Sequence, residues 1–218
     1  MHFNINNKQF LTEYPYVLLD FDGVIKDSVE IKSNAFMRLF DPFGQDVVIK
    51  VRNHHEENGG MSRYEKLPLY LRWAGEEPSD NLVKEYSKRF SKFVKQNVID
   101  SEWVPGILDF FGKNFDKNTF FLVTATPQFE IEEILLSLNI RNFFKEVIGA
   151  PTKKTDAIQM LLEKYFIAPE SSAMIGDSIS DYQAAKENGV LFILRSTNLN
   201  KNLQNKCKNF MFMDFINE

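Results

Sequence analysis

The residues best suited to chemistry in this sequence are acidic, and they fall in two places. Asp20 and Asp22 stand two apart directly after the apolar run Tyr16-Val-Leu-Leu, with Gly23 giving the chain freedom to turn away. Asp177 follows Ser172-Ala-Met-Ile-Gly, and Asp181 lies four residues further on. Thr124 closes a third run, Thr119-Phe-Phe-Leu-Val. Short apolar runs of this kind read as strands buried on both faces of a sheet. In such sheets ligands bind beyond the carboxyl ends of the strands, which gathers Asp20, Asp22, Thr124, Asp177 and Asp181 at one place. Two unit charges about 4 Å apart repel by roughly 4 kcal/mol at an effective dielectric near 20, so the cluster must take up protons or hold a cation. Oxygen ligands with no histidine or cysteine nearby favour a hard divalent ion. Mg²⁺, which also binds phosphate, fits best.

The elements that would position these residues alternate. Helical periods follow the strands: one opens at Thr126-Pro127 with Thr126 as cap, one spans residues 155–165, and one runs over 178–188 to Gly189, before a further strand at 190–194. The pattern predicts an α/β fold with a Rossmann-like parallel sheet and helices on both faces. Residues 30–102 read differently, as an inserted helical cap with helices near 30–40, 62–73 and 79–97. Ser62 and Glu65 form a capping-box pattern, Ser79 caps the third helix, and Pro68 is placed to kink or shorten the second. The division is then 1–29 and 103–218 for the core, and 30–102 for the cap.

With 218 residues, 44% hydrophobic and 26% charged, the chain can bury a core without staples. A net charge of -4 argues against broad nucleic-acid binding. The single cysteine, Cys207, the lack of a leader-like start and the lack of a spanning apolar stretch point to a cytoplasmic protein, monomer or homodimer, without a membrane partner.

The segment Asp20-Phe-Asp-Gly-Val resembles the first signature of the haloacid dehalogenase superfamily, in its phosphatase branch. The resemblance implies that Asp20 attacks phosphorus to give an aspartyl phosphate, and that Asp22 protonates the leaving oxygen and later activates water. Thr124 resembles the second signature, a hydroxyl that holds the transferring phosphoryl group. The third is a lysine, for which Lys153 and Lys154 both stand ahead of a helix; spacing favours Lys154. Gly176-Asp-Ser-Ile-Ser-Asp181 resembles the fourth, with Mg²⁺ held by Asp20, Asp177 and the main-chain carbonyl of Asp22, and Asp181 acting behind them. A turn in which these aspartates only cap helices explains neither their strand context nor their company.

The insertion sits where one branch of the family carries a small helical cap, which implies a small phosphorylated metabolite such as a sugar phosphate. Arg63, next to the Gly59-Gly60 turn, is placed to clamp that substrate, with Lys32 and Ala125 as further contacts. The adjacent His54 and His55 point to different sides of any helix, which disfavours a shared metal site. Dehalogenases of the superfamily lack the second aspartate, so Asp22 speaks for phosphoryl transfer. β-Phosphoglucomutases carry a histidine where Lys32 stands, which disfavours a mutase. A phosphonate hydrolase needs a cap lysine, which Lys32 would have to supply. A non-catalytic relative that kept the metal site is the alternative from another class.

Overall fold

A computed structural model describes residues 13–207 and 210–216. Six parallel strands form one sheet in the order β3-β2-β1-β4-β5-β6. They are β1 (Tyr16–Leu19), β2 (Thr119–Pro127), β3 (Phe144–Ala150), β4 (Ser172–Gly176), β5 (Leu191–Arg195) and β6 (Met211–Phe212). Helices α1 (Val29–Phe40), α2 (Gln45–Glu57), α3 (Arg63–Trp73) and α4 (Asp80–Asp100) all lie between β1 and β2. They make the inserted cap. The core helices are α5 (Ile107–Asn114), α6 (Gln128–Ser137), α7 (Lys154–Lys164), α8 (Ile179–Glu187) and the short α9 (Lys201–Gln204).

Alternation along β1 explains the layering. Val17 and Leu19 join one hydrophobic cluster with α5 and α6, while Leu18 joins a second with α7 and α8. Helices therefore cover both faces. The first cluster continues without a break into the cap through Phe36, Tyr70 and Phe90, so cap and core share apolar contact. Because the chain passes from β1 to β2 and β3 on one side and then crosses to β4 on the other, the carboxyl end of β1 is the point where strand order reverses.

The expected cap helices are present, and the structure differs from expectation at four points in cap and core. Ser62 and Glu65 form the capping box, and Ser79 accepts a hydrogen bond from the Leu82 amide. Pro68 does not end α3, which continues to Trp73. Helix α2 was not anticipated: only Val48, Val51 and His55 are buried along it, too thin an apolar stripe to read beside its charges. Strand β3 was also missed, since Lys145 and Glu146 interrupt its apolar run at the edge side of the sheet. Thr126 does not cap α6. It lies inside β2, which runs on to Pro127, and Pro127 takes the cap position.

Candidate active site

The site assembles at the strand-order reversal. Asp20 follows β1 directly; its Oδ1 accepts the Phe21 amide at 2.7 Å and its Oδ2 accepts Lys154 Nζ at 2.7 Å. Lys154 also donates to Asp181 Oδ1 at 2.6 Å, and all three side chains are buried. Of the two candidate lysines, Lys154 is the one at Asp20; Lys153 is exposed at the cap position of α7. Asp181 uses its other oxygen in the capping box of α8, accepting the amide and hydroxyl of Ser178 at 3.1 and 2.5 Å. It thus serves the helix and the site together.

Carboxylate oxygens of Asp20, Asp177 and Asp181 lie within 4.8 Å of one another. Among the described residues Asp177 accepts no side-chain or backbone hydrogen bond through its carboxylate, although it faces two other acids. Burial, then the charges of Asp20 and Asp181, push the Asp177 carboxyl well above its usual range. Burial raises Asp20 to about 7 against the pull of Lys154. An oxygen-only cluster with an unpartnered member and too little positive charge fits a hard divalent cation. Gly23 makes the close approach possible: a Cβ there would stand 2.1 Å from Asp177 Oδ2, and its φ is 74°. Arg195, a residue that the motifs did not indicate, fixes this turn by donating to the Gly23 carbonyl at 3.1 Å.

Asp22 points elsewhere. Its carboxylate forms an ion pair with Lys32 and accepts hydrogen bonds from Ser28 Oγ at 2.6 Å and Thr126 Oγ1 at 3.2 Å. Burial alone would raise this carboxyl, but Lys32 and the hydroxyls hold it below the usual carboxylate range. Lys32 Nζ also reaches Thr126 Oγ1 at 2.8 Å. Thr126 is therefore a site residue. Thr124 is buried, and its Oγ1 accepts the Thr126 amide at 3.2 Å, which orders the strand end between them.

A cavity of about 60 Å³ separates core from cap. Asp20, Asp22, Asp177 and Ala125 line it from the core, and Lys32, His55, Arg63 and Lys66 from the cap. Arg63 is 4% exposed and its guanidinium is already engaged: Nη1 donates to Ser91 at 2.7 Å and to Glu130 at 3.0 Å, and Nη2 donates to Glu130 at 2.5 Å. Glu130 belongs to α6, so this bidentate pair joins cap to core. His54 and His55 do diverge. His54 meets the Tyr70 hydroxyl at 3.0 Å, and His55 turns inward to Lys66.

Residues 17–194 match the haloacid dehalogenase-like hydrolase family, and the chain belongs to it. A phosphorylated carbohydrates phosphatase of Thermotoga maritima is 28% identical over 80% of this chain and 81% of its own. Phosphoglycolate phosphatase 1 of Pseudomonas aeruginosa is 26% identical over 83% of this chain and 69% of its own. Among solved structures, a β-phosphoglucomutase of Clostridium difficile superposes with a TM-score of 0.75 at 18% identity, covering 93% of this chain and 92% of that one. That likeness is one of fold.

Proposed function

We propose that this hydrolase is a Mg²⁺-dependent phosphatase that cleaves a small phosphate monoester, a sugar phosphate or similar metabolite, through an aspartyl phosphate on Asp20. The observation that carries it is the Asp20 carboxylate at the strand switch point, held by Lys154 and facing the unpartnered Asp177. The names borne by the Thermotoga and Pseudomonas relatives support a phosphorylated small molecule.

Asp20, Asp177 and the main-chain carbonyl of Asp22 would hold the cation, with Asp181 behind them. The ion supplies positive charge for the phosphate oxygens and offsets the repulsion between phosphate and carboxylates. In the first half-reaction an Asp20 oxygen bonds to phosphorus as the bond to the leaving oxygen breaks, and Asp22 gives that oxygen its proton. In the second, water attacks the aspartyl phosphate, Asp22 takes the proton, and Asp20 is released with inorganic phosphate. Asp22 as it stands is ionised and suited to the second half. To act as the acid in the first it must take up a proton as the grip of Lys32 and Thr126 loosens, since both favour its ionised form. Lys154 neutralises charge on Asp20 and the transferring group. Engagement of Lys32 with Asp22 also weighs against a free cap amine for phosphonate chemistry.

Purified protein with Mg²⁺, screened against sugar phosphates, phosphoglycolate and nucleotides, is expected to turn over at least one monoester, and Asp20→Asn to abolish it. Absence of any turnover would overturn the reading. Assembly of a beryllium fluoride adduct at Asp20 separates an enzyme from an inert relative.

A further inference from the structure

The cap contributes three cationic side chains to the cavity, and they are not equivalent. Lys32 is paired with Asp22 and Arg63 with Glu130. Lys66 has no such partner. It is 1% exposed, lies on α3 one turn after Arg63, and lines the same cavity as Asp20. Among the described residues no carboxylate lies within ion-pair distance of its Nζ, whose hydrogen-bond partner is His55 Nδ1 at 2.8 Å. His55 is itself buried, 3% exposed, and packs against the Phe36 ring with centroids 4.9 Å apart. Phe36 also lies 5.8 Å from Lys66 Nζ, an apolar wall rather than a counter-charge.

Lysines are almost never fully buried unless paired, because the ammonium loses its hydration. Burial, then the charge of Lys32, pulls the Lys66 amine well below its usual range, and burial does the same to His55. Among the described residues Lys66 is thus the one cationic side chain that the cap brings to the cavity without a carboxylate partner. Lys66 and Asp20 line the same cavity, so a substrate whose phosphorus sits at Asp20 shares that space with the Lys66 amine.

We propose that Lys66 is a specificity-determining residue that pairs with a second anionic group, carboxylate or phosphate, on the leaving-group side of the substrate. The proposal rests on the phosphatase reading above. His55 holds the amine in place through a neutral acceptor, so that the anion arrives with the substrate. The preferred substrates are then phosphorylated hydroxy acids or bisphosphorylated sugars, and monoesters of uncharged alcohols are poor ones.

The test compares kcat/KM within two matched pairs: 2-phosphoglycolate against ethyl phosphate, and glucose 1,6-bisphosphate against glucose 6-phosphate. Wild-type protein is expected to favour the doubly anionic member of at least one pair by tenfold or more. The pair that responds tells carboxylate from phosphate. In Lys66→Met that preference should fall at least tenfold, and in Lys66→Arg it should largely persist. If Lys66→Met does not fold, Lys66→Gln, which keeps a polar group against His55, carries the same comparison. Ratios near one for both pairs in wild type, or a preference unchanged in a folded Lys66 variant without the cation, would overturn the assignment while leaving the phosphatase reading intact. No turnover of any monoester would overturn both.

Discussion

At the scale of single residues, the site is an arrangement of competing charges in which Lys154 is central. It is the sole ammonium hydrogen-bonded to Asp20 and Asp181 among the described residues, and both acids are buried. Burial alone would lower its pKa, but the two carboxylates keep it raised, so it stays charged throughout the working range. Lys154→Met should lower kcat by about 10²- to 10³-fold, the typical effect of losing one preorganised charge-stabilising donor. It should also cost stability, since removing one partner of a buried ion pair leaves charge uncompensated, at about 3–5 kcal/mol. Steady-state kinetics and thermal melting with Mg²⁺ present would check the two effects separately. A variant with near wild-type turnover would remove Lys154 from the mechanism. A smaller effect belongs to Thr126. Thr126→Val deletes one hydrogen bond to Asp22 and one to Lys32, and a shift in the pH dependence of kcat without a change in melting temperature is the expected signature.

Elements decide which of these residues could be foreseen. Asp20 and Asp177 were legible because each directly follows a buried strand, where a parallel sheet places its ligands whatever the remainder of the chain does, and Thr124 because it closes the apolar run of β2. Lys154 was legible through its position ahead of α7. Lys66, Glu130 and Thr126 were not. Lys66 and Glu130 meet the site only when α3 and α6 are docked across the cap boundary, and no local period encodes that docking. Thr126 was hidden by a strand that extends farther than its apolar run, so a residue with good helix-capping chemistry became part of the site instead. The docking itself has a point of close contact. A Cβ on Gly60 would lie 1.8 Å from Ser180 Oγ and 2.4 Å from Ser178 Oγ, so the cap loop rests on the first turn of α8. Gly60→Val should therefore hold the cap away from the core, raise KM and lower the melting temperature, because moving the cap also separates Arg63 from Glu130. By contrast Gly112 in α5 faces open space, and Gly112→Ala should stabilise the fold by about 0.4–1 kcal/mol without touching activity.

For the molecule as a whole, stability is expected to respond to one buried ion pair between cap and core and, on the phosphatase reading, to a cation held in the core, and the two respond to different variables. The pair is Arg63 with Glu130. Burial would raise the Glu130 carboxyl, but Arg63 and Ser91 hold it below its ordinary value of 4.5. A depressed carboxyl contributes stability that is fully present above the unfolded value and is lost as pH falls through the folded one. The difference in melting temperature between wild type and Glu130→Gln is thus expected to be constant near neutrality and to shrink below about pH 4.5. A difference that grows on acidification would contradict the ion pair. The cation acts through mass action. A ligand that binds only the folded state at a hundred times its dissociation constant adds about 2.7 kcal/mol. In a chain of this size that corresponds to a rise in melting temperature of roughly 5 to 11 °C. Asp177→Asn removes the one carboxylate of the cluster that has no other partner, so it should abolish the Mg²⁺-dependent rise while sparing the melting temperature measured in chelator, where repulsion with Asp20 and Asp181 is relieved. Equal Mg²⁺ responses in wild type and Asp177→Asn would place the cation elsewhere.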